Sequence, residues 1–173
     1  MTVTLGVLGS GTATGDASVG SDRFVSGVTA VRGSDFGDTI TGNGGNNVLE
    51  GQGGADTVTG GAGADRFFYS AISDGVDHIV DFSGHGGQRD VLAFDHQAFG
   101  TGLAFGGADT GTLDPTHFVA NSTGATTVAE VFWYNTTDHT LSYDADGSGA
   151  GAAVAIAVLD NNFLLNHTDF GLI

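Results

Sequence analysis

The sequence predicts an all-β protein in which a coil of short parallel strands is followed by an antiparallel, β-sandwich-like cap. Three observations support this. A nine-residue pattern repeats over residues 33–68, longer segments of alternating apolar residues follow it, and 31 glycines but only one proline occur among 173 residues. Short strands joined by glycine-rich turns account for the repeat and the glycine content, and the alternating apolar segments predict the strands of the cap.

The repeat begins at Gly33 and continues without a gap through four units. These units are GSDFGDTIT (33–41), GNGGNNVLE (42–50), GQGGADTVT (51–59) and GGAGADRFF (60–68). The sixth positions are Asp38, Asn47, Asp56 and Asp65, and the eighth positions are Ile40, Leu49, Val58 and Phe67. Positions seven to nine alternate like a short strand with its middle residue turned inward, and positions one to six have turn composition. A weaker copy, ASVGSDRFV, occupies residues 17–25.

The charge balance restricts the possible partners. Twenty Asp and Glu face four Arg and no Lys, so the formal net charge is −16. This charge disfavours nucleic acid and anionic lipid, whereas acidic, oxygen-rich loops suit hard cations such as Ca²⁺. A surface that is merely soluble is the alternative interpretation. The absence of cysteine excludes disulfides and zinc–thiolate sites.

The sixth-position acids also predict a link between metal binding and folding. Clustered carboxylates repel one another when the coil forms, and a bound divalent cation reverses the sign of that interaction. We therefore expect metal binding to be coupled to folding of the repeat segment. A glycine-rich coil without metal is the alternative, although acids at nine-residue spacing have no packing purpose.

The four units are similar to the G-G-x-G-x-D-x-U-x repeat of RTX (hemolysin-type) calcium-binding proteins. The resemblance implies a parallel β-roll that binds several Ca²⁺ ions, with two units in each coil. It implies that Asp38 and Asp56 share one ion, and that Asn47 and Asp65 share a second, weaker one. It further implies ligands from the turns at Gly42, Gly44, Gly51, Gly53, Gly60, Gly61, Ala62 and Gly63.

The resemblance also suggests three regions. Residues 1–32 are expected to be lead-in strands or an imperfect first coil, 33–71 the β-roll, and 72–173 a β-rich cap with a secretion-target region. Residues 67–82 and 88–95 resemble the segment that closes the roll in secreted metalloproteases and lipases of this class. In such relatives the positions of Asp77, Asp81 and Asp90 can hold a further calcium. The alternative is that these acids are solvated at strand ends.

The cap is expected to contain a β-hairpin over residues 128–143 and a buried third strand over 152–160. Its aromatic residues are predicted to pack in the core and not to form a platform for sugars. They are Phe132, Trp133, Tyr134 and Tyr143. Residues 144–149, DADGSG, match the first half of an EF-hand loop, but the twelfth position is Ala155 and not Glu. A hairpin turn is therefore the preferred interpretation.

The motifs predict a binding module and not an enzyme. No HExxH helix, G-x-S-x-G elbow or dinucleotide fingerprint is present in the sequence. No apolar run approaches the ~20 residues of a membrane span, and the N-terminus lacks the features of a Sec signal peptide. Residues 166–173, NHTDFGLI, resemble the uncleaved C-terminal signal that a type I secretion apparatus reads.

We therefore expect a calcium-binding module that folds after export and supports type I secretion of a larger protein. Its expected location is outside the cell or on the surface of a Gram-negative bacterium. The alternative is an adhesin, a surface-layer or filament subunit, or a polysaccharide-binding module, which would have self-assembly or a polysaccharide as its partner. Four arginines equip the chain poorly for an anionic polysaccharide.

Overall fold

The computed structural model describes most of the chain in ten stretches. They are residues 1–7, 10–15, 21–24, 28–72, 74–85, 89–95, 97–99, 105–106, 112–129 and 131–172. Within these stretches no helix is long and apolar enough to cross a bilayer. Short 3₁₀ helices at Pro115–His117 and His167–Asp169 lie among the strands and loops of the described stretches.

The strands of the described residues form one ten-stranded sheet, one five-stranded sheet and one two-stranded sheet. In chain order they are β1 (Thr2–Leu5), β2 (Gly11–Thr14), β3 (Ser21–Phe24), β4 (Ala30–Arg32), β5 (Thr39–Thr41), β6 (Val48–Glu50), β7 (Thr57–Thr59), β8 (Arg66–Tyr69), β9 (Asp77–Ile79), β10 (Val91–Phe94), β11 (Phe105–Gly106), β12 (Thr112–Leu113), β13 (Phe118–Asn121), β14 (Phe132–Asn135), β15 (Thr140–Tyr143), β16 (Val154–Leu159) and β17 (Phe170–Leu172).

The repeat units alternate between two parallel ladders. Strands β5 and β7 pair in the ten-stranded sheet, where Ile40 faces Val58. Strands β6 and β8 pair in the five-stranded sheet, where Leu49 faces Phe67. All four side chains are buried, so the eighth positions fill the space between the two sheets. Each coil therefore contains two nine-residue units, and the predicted all-β roll is confirmed.

The glycine-rich turns follow from the backbone angles that the coil requires. Gly54 and Gly63, each at position four of its unit, have φ of 107° and 124°. A residue with a Cβ atom is strained in this region, so glycine is favoured there. In the strands, the exposed Thr39 and Thr57 flank the inward Ile40 and Val58, as the alternation predicts.

Both ladders continue beyond the repeats. Strand β9 pairs with β7 through Val58 and Ile79, and β10 pairs with β8 through Phe67 and Leu92. Strand β17 then adds to the far side of β10, where Phe170 faces Leu92. The ladders thus cross residue 71, and the division of the chain into 1–32, 33–71 and 72–173 stays a prediction.

The lead-in contributes strands to both sheets. Strand β1 pairs parallel with β5, and β4 pairs parallel with β6. Strands β2 and β3 reverse direction and extend the ten-stranded sheet by antiparallel pairing. Residues 21–24, which belong to the weaker repeat copy at 17–25, therefore lie in an antiparallel ribbon and not in a parallel coil. The other residues of that copy, 17–20 and 25, lie outside the described residues.

The cap extends one sheet of the roll. Strands β14, β15 and β16 form an antiparallel meander, and β16 pairs parallel with β9. The predicted hairpin and third apolar strand are confirmed. Phe132, Tyr134 and Tyr143 are buried, as predicted. Trp133 is half-buried, and its indole N–H donates to the carbonyl of Asn121 at 3.2 Å.

Candidate metal-binding edges

The coil brings equivalent turns together along two edges. At each edge the side chains at the sixth position of successive coils form a column. The first edge is defined by Asp38, Asp56 and Asp77, and the second edge by Asn47, Asp65 and Asp90. Asp77 and Asp90 follow Asp56 and Asp65 by 21 and 25 residues, and they still occupy the equivalent place because β9 and β10 continue the ladders.

Each column is connected by hydrogen bonds from backbone to side chain. On the first edge the Asp38 N–H donates to Asp56 Oδ1 at 2.7 Å, and the Asp56 N–H donates to Asp77 Oδ1 at 3.1 Å. On the second edge the Asn47 N–H donates to Asp65 Oδ1 at 2.7 Å, and the Asp65 N–H donates to Asp90 Oδ1 at 2.9 Å. The predicted pairs, Asp38 with Asp56 and Asn47 with Asp65, are therefore neighbours.

The outer members of the columns receive further hydrogen bonds. Asp38 Oδ2 accepts from the Ser34 N–H at 2.6 Å, and Asn47 Oδ1 accepts from the Asn43 N–H at 2.9 Å. Asp90 Oδ2 accepts from the Ser83 N–H at 2.8 Å. The hydroxyl of the buried Tyr69 hydrogen-bonds to the Asp77 carboxyl group and lowers its pKa. These groups are satisfied by protein donors.

The central members of the columns are not satisfied in this way. Asp56 Oδ2 and Asp65 Oδ2 are buried, and no hydrogen-bond partner for either atom lies within the described part of the chain. Both residues have 0% exposure. A buried carboxylate oxygen without a donor or cation carries a large desolvation cost. Each edge therefore presents one buried carboxylate oxygen that accepts no hydrogen bond from the described residues.

Burial dominates the ionisation of these groups. The pKa of Asp65 is raised to about 6, mainly by burial; a hydrogen bond from the Asn47 N–H opposes this shift, and the charges of Asp90 and Asp81 add to it. Burial raises the pKa of Asp77 to about 7, with the neighbouring Asp56 charge in support. The pKa values of Asp56 and Asp90 are also raised by burial. A nearby divalent cation would favour the ionised forms.

Glycine at position one lets oxygens converge beside the backbone. A Cβ atom on Gly33 would lie 2.3 Å from the Gly51 carbonyl oxygen and 2.5 Å from Asp38 Oδ2. One on Gly42 would lie 2.2 Å from the Gly60 carbonyl oxygen and 2.5 Å from Asn47 Oδ1. Carbonyl and side-chain oxygens from adjacent coils thus approach the same place on both edges, and only glycine leaves room for them.

The other turn residues predicted as ligands lie between adjacent coils or at the surface. Gly53 lies against Asp35 of the preceding coil, and Gly61 and Gly63 lie against residues 43–46. The Ala62 N–H donates to the Asn43 carbonyl at 3.0 Å. The position of an added Cβ on Gly44 has no neighbour within 4 Å. Their role as metal ligands stays a prediction.

The donor set fits a calcium ion better than a metal that needs several side chains. Among the described residues no three His, Asp or Glu side chains group together as a possible metal site. An ion at either edge must therefore draw on backbone carbonyls together with one or two carboxylates. Ca²⁺ accepts six to eight oxygen ligands of this mixed kind with flexible geometry. The buried oxygens of Asp56 and Asp65 provide the negative charge.

The comparison with known families agrees with this geometry. Residues 32–67 match the family model for the RTX calcium-binding nonapeptide repeat, in four copies. These residues are RTX calcium-binding repeats. Curated proteins and solved structures gave no match to the chain. The RTX match spans the described coil from β4 to β8, and the chain therefore carries a calcium-binding module.

Three polar groups near the edges have roles that the repeat pattern does not give. Asp81, a sequence candidate, accepts hydrogen bonds from the Gly60 and Gly61 N–H groups at 2.8 and 2.9 Å. Tyr69 was missed, because nothing in the sequence pairs a strand tyrosine with Asp77. Glu50 was also missed, although the other three units have Thr or Phe at position nine. Its Oε2 lies 3.1 Å from Arg32 Nε, and its buried Oε1 has no partner in the described residues.

The DADGSG segment forms a turn between β15 and β16, as predicted. Gly147 has a φ of 60°, and Asp146 Oδ2 accepts from the Gly151 N–H at 3.0 Å. The Asp146 N–H donates to Asp144 Oδ1 at 3.3 Å. The hydrogen bonds of both carboxylates are made within this turn.

Proposed function

We propose that the chain is a calcium-dependent folding module whose two edges bind Ca²⁺ ions between adjacent coils. The observation that supports this most is a pair of buried oxygens, Asp56 Oδ2 and Asp65 Oδ2, for which the described stretches of the chain offer no hydrogen-bond partner. Each lies at the centre of its column, between the sixth-position residues of neighbouring coils. A cation at each edge would offset the cost of burying these oxygens.

The proposed ligands follow the columns. Asp38 and Asp56 hold one ion with turn carbonyls of the first edge, and Asn47 and Asp65 hold another at the second edge. Because Asn47 is neutral, the second ion is bound by less negative charge and more weakly. Asp77 and Asp90 extend the columns and bind further calcium if their protein hydrogen bonds give way.

Calcium binding and folding are coupled because the same residues serve both. The sixth-position side chains join adjacent coils only when the coil is wound, and winding buries their carboxylates. Without a cation these buried charges oppose the fold, and with a cation they stabilise it. The module is therefore proposed to be unfolded at low calcium. It folds when the calcium concentration reaches ~10⁻⁴–10⁻³ M, the range of dissociation constants typical of extracellular modules.

This coupling suits a protein that is exported before it folds. We propose that the chain passes through a type I secretion apparatus as part of a larger protein, with its C-terminal residues as the signal. The module then folds outside a Gram-negative cell or on its surface. In this proposal the chain has no enzymatic activity of its own. The net charge of −16 supports this proposal, because repulsion between like charges disfavours the compact state where calcium is scarce.

Circular dichroism during a calcium titration of the chelator-treated chain tests the proposal. We expect β structure to appear with added Ca²⁺ and not with equal Mg²⁺, which demands stricter octahedral geometry. Asp56→Asn should shift the transition to higher calcium, because it removes charge from the buried carboxyl group. Asp138→Asn, which makes the same charge change on an exposed cap residue, is the control. Full β structure in excess chelator at neutral pH would refute coupled folding.

A further inference from the structure

One face of the ten-stranded sheet carries a two-dimensional array of threonines. Strands β2, β1, β5 and β7 are neighbours, and each has the pattern Thr-x-Thr. One in-register row contains Thr14, Thr2, Thr39 and Thr57. The second row contains Thr12, Thr4, Thr41 and Thr59. We call these eight residues the threonine array.

The array lies on the outer face of the sheet. In β1 the two threonines are exposed, while Val3 and Leu5 are buried. In β5 and β7 the residue between the threonines, Ile40 or Val58, is buried. Residues paired across neighbouring strands point to the same face, so all eight side chains project from this surface. The array ends at β9, where His78 faces Thr57.

The other sheet of the roll provides an internal comparison. Its strands occupy the same positions of the repeat and have the same local structure, but the outward positions are not threonine. They are Ala30 and Arg32 in β4, Val48 and Glu50 in β6, and Arg66 and Phe68 in β8, of which Glu50 is buried beside Arg32. The β-roll therefore does not need threonine at these positions. The high β-propensity of threonine alone does not explain why it is restricted to one face.

The sheet sets the spacing of the array. Neighbouring strands lie about 4.8 Å apart, and alternate residues in one strand lie about 6.6–6.8 Å apart. Each array position thus presents a hydroxyl and a methyl group at the points of a nearly rectangular lattice. These two distances lie close to the two repeat distances of the prism face of hexagonal ice.

From this array we propose that the outer face of β2, β1, β5 and β7 binds ice through an ordered layer of water. The chemistry favours this ligand over others that repeat in two dimensions. The array has no charged side chain to match an ionic mineral, and no aromatic ring on which a crystalline polysaccharide could stack. Pairing with a second copy would bury eight hydroxyls, at a cost for each one left without a partner, whereas ordered water can hydrogen-bond to all of them.

Ice-affinity partitioning of the full chain in calcium tests the proposal. The chain is mixed with a protein that does not bind ice, and its fraction in a slowly growing ice mass is measured. We expect the chain to be enriched in the ice and Thr39→Lys to reduce this enrichment to the level of the reference protein. Val48→Lys is the matched control, because Val48 is also an exposed position-seven residue but lies on the other sheet. It should partition like the unchanged chain.

Two further measurements separate the possible outcomes. Circular dichroism in calcium establishes whether each variant is folded. If Thr39→Lys is unfolded, it is replaced by Thr39→Val, which keeps the branched shape of the side chain but removes the hydroxyl. Exclusion of the folded, unchanged chain from ice would overturn the proposal, as would equal losses for Thr39→Lys and Val48→Lys. A calcium-dependent dimer that Thr39→Lys dissociates, without ice enrichment, would assign the face to self-association. Because calcium-coupled folding is read separately by circular dichroism, failure here leaves that proposal intact.

Discussion

The backbone N–H of Asp38 donates a hydrogen bond of 2.7 Å to the carboxylate of Asp56, which lies eighteen residues later. The same relationship joins Asn47 to Asp65 on the opposite edge. Eighteen residues are two repeat units, so each of these hydrogen bonds joins residues that are one full turn of the coil apart. It leaves the second oxygen of each acceptor buried and without a partner in the described structure.

The neutral residue in the second column can be converted to an acid. Asn47→Asp adds a carboxylate beside Asp65, so we expect the second edge to bind calcium more tightly and the calcium midpoint of folding to fall. The same change should weaken folding in chelator, because two carboxylates then repel each other without a cation. Calcium titration by circular dichroism measures both effects. Asn46→Asp, at an exposed neighbouring position, is the control. A midpoint that rises for Asn47→Asp would contradict the ligand assignment.

The stability of the metal-free chain should depend on pH. Burial raises the pKa of Asp65 to about 6 and that of Asp77 to about 7, above the ordinary value of 3.8. Since the fold favours the protonated forms, their contribution is most favourable in acid and is lost as the pH rises from about 4 to 7. Each pKa unit corresponds to about 1.4 kcal/mol, so the total loss is on the order of several kcal/mol.

In chelator we therefore expect β structure to increase as the pH is lowered from 8 to 5. The double variant Asp65→Asn, Asp77→Asn should show a smaller pH dependence, because neither amide titrates. Urea unfolding in chelator, followed across this pH range, measures the effect. Stability that instead increases toward pH 8 would show that these carboxyl groups are not the buried groups described here.

The position-one glycines should tolerate no side chain. In Gly51→Ala the new Cβ would lie 1.9 Å from Asp56 Oδ2, a contact that forces the carboxylate out of place. Overpacking of this kind costs about 1–3 kcal/mol, and here it also disturbs a proposed ligand. We expect a loss of stability in calcium and a higher calcium midpoint. Gly44→Ala, where an added Cβ meets nothing within 4 Å, should behave like the unchanged chain. Equal effects of the two variants would argue against the close approach.

The C-terminal strand should be needed for the fold. Phe170 is buried and packs against Phe94, Phe118 and Phe132 with ring centroids 5.1 to 5.9 Å apart. Phe170→Ala should lower the free energy of unfolding in calcium by about 3–5 kcal/mol. Leu164→Ala, at a position with 58% exposure, should change it little. Chemical denaturation measures both, and a near-neutral Phe170→Ala would mean that β17 is dispensable.

The repeats could be predicted from the sequence because each unit has the same length of nine residues, so equivalent positions of successive units lie in register. Position eight returns to the inner face every nine residues, so the inward Ile40 and Val58 follow directly from the pattern. The hairpin of β14 and β15 was also predictable from alternation. The antiparallel ribbon of β2 and β3 was not, since no local signal distinguishes residues 21–24 from a strand of the coil.

The contacts that complete the columns depend on the folded structure. Asp77 and Asp90 reach their positions through turns of irregular length, and the pairing of β17 with β10 joins residues 78 apart. The hydrogen bond between Tyr69 and Asp77 crosses from one sheet to the other. No periodicity encodes such contacts, because each arises only once and depends on how the cap packs.

The pairing of β17 with β10 also has a consequence during protein synthesis. Strand β10 pairs on one side with β8, and its other neighbour, the edge strand β17, is translated 78 residues later, so the five-stranded sheet can be completed only after β17 has been made. The contact between the rings of Phe94 and Phe170 likewise forms only once β17 has been made. A chain that is cut or stalled before β17 would therefore leave the edge of β10 without its pairing strand.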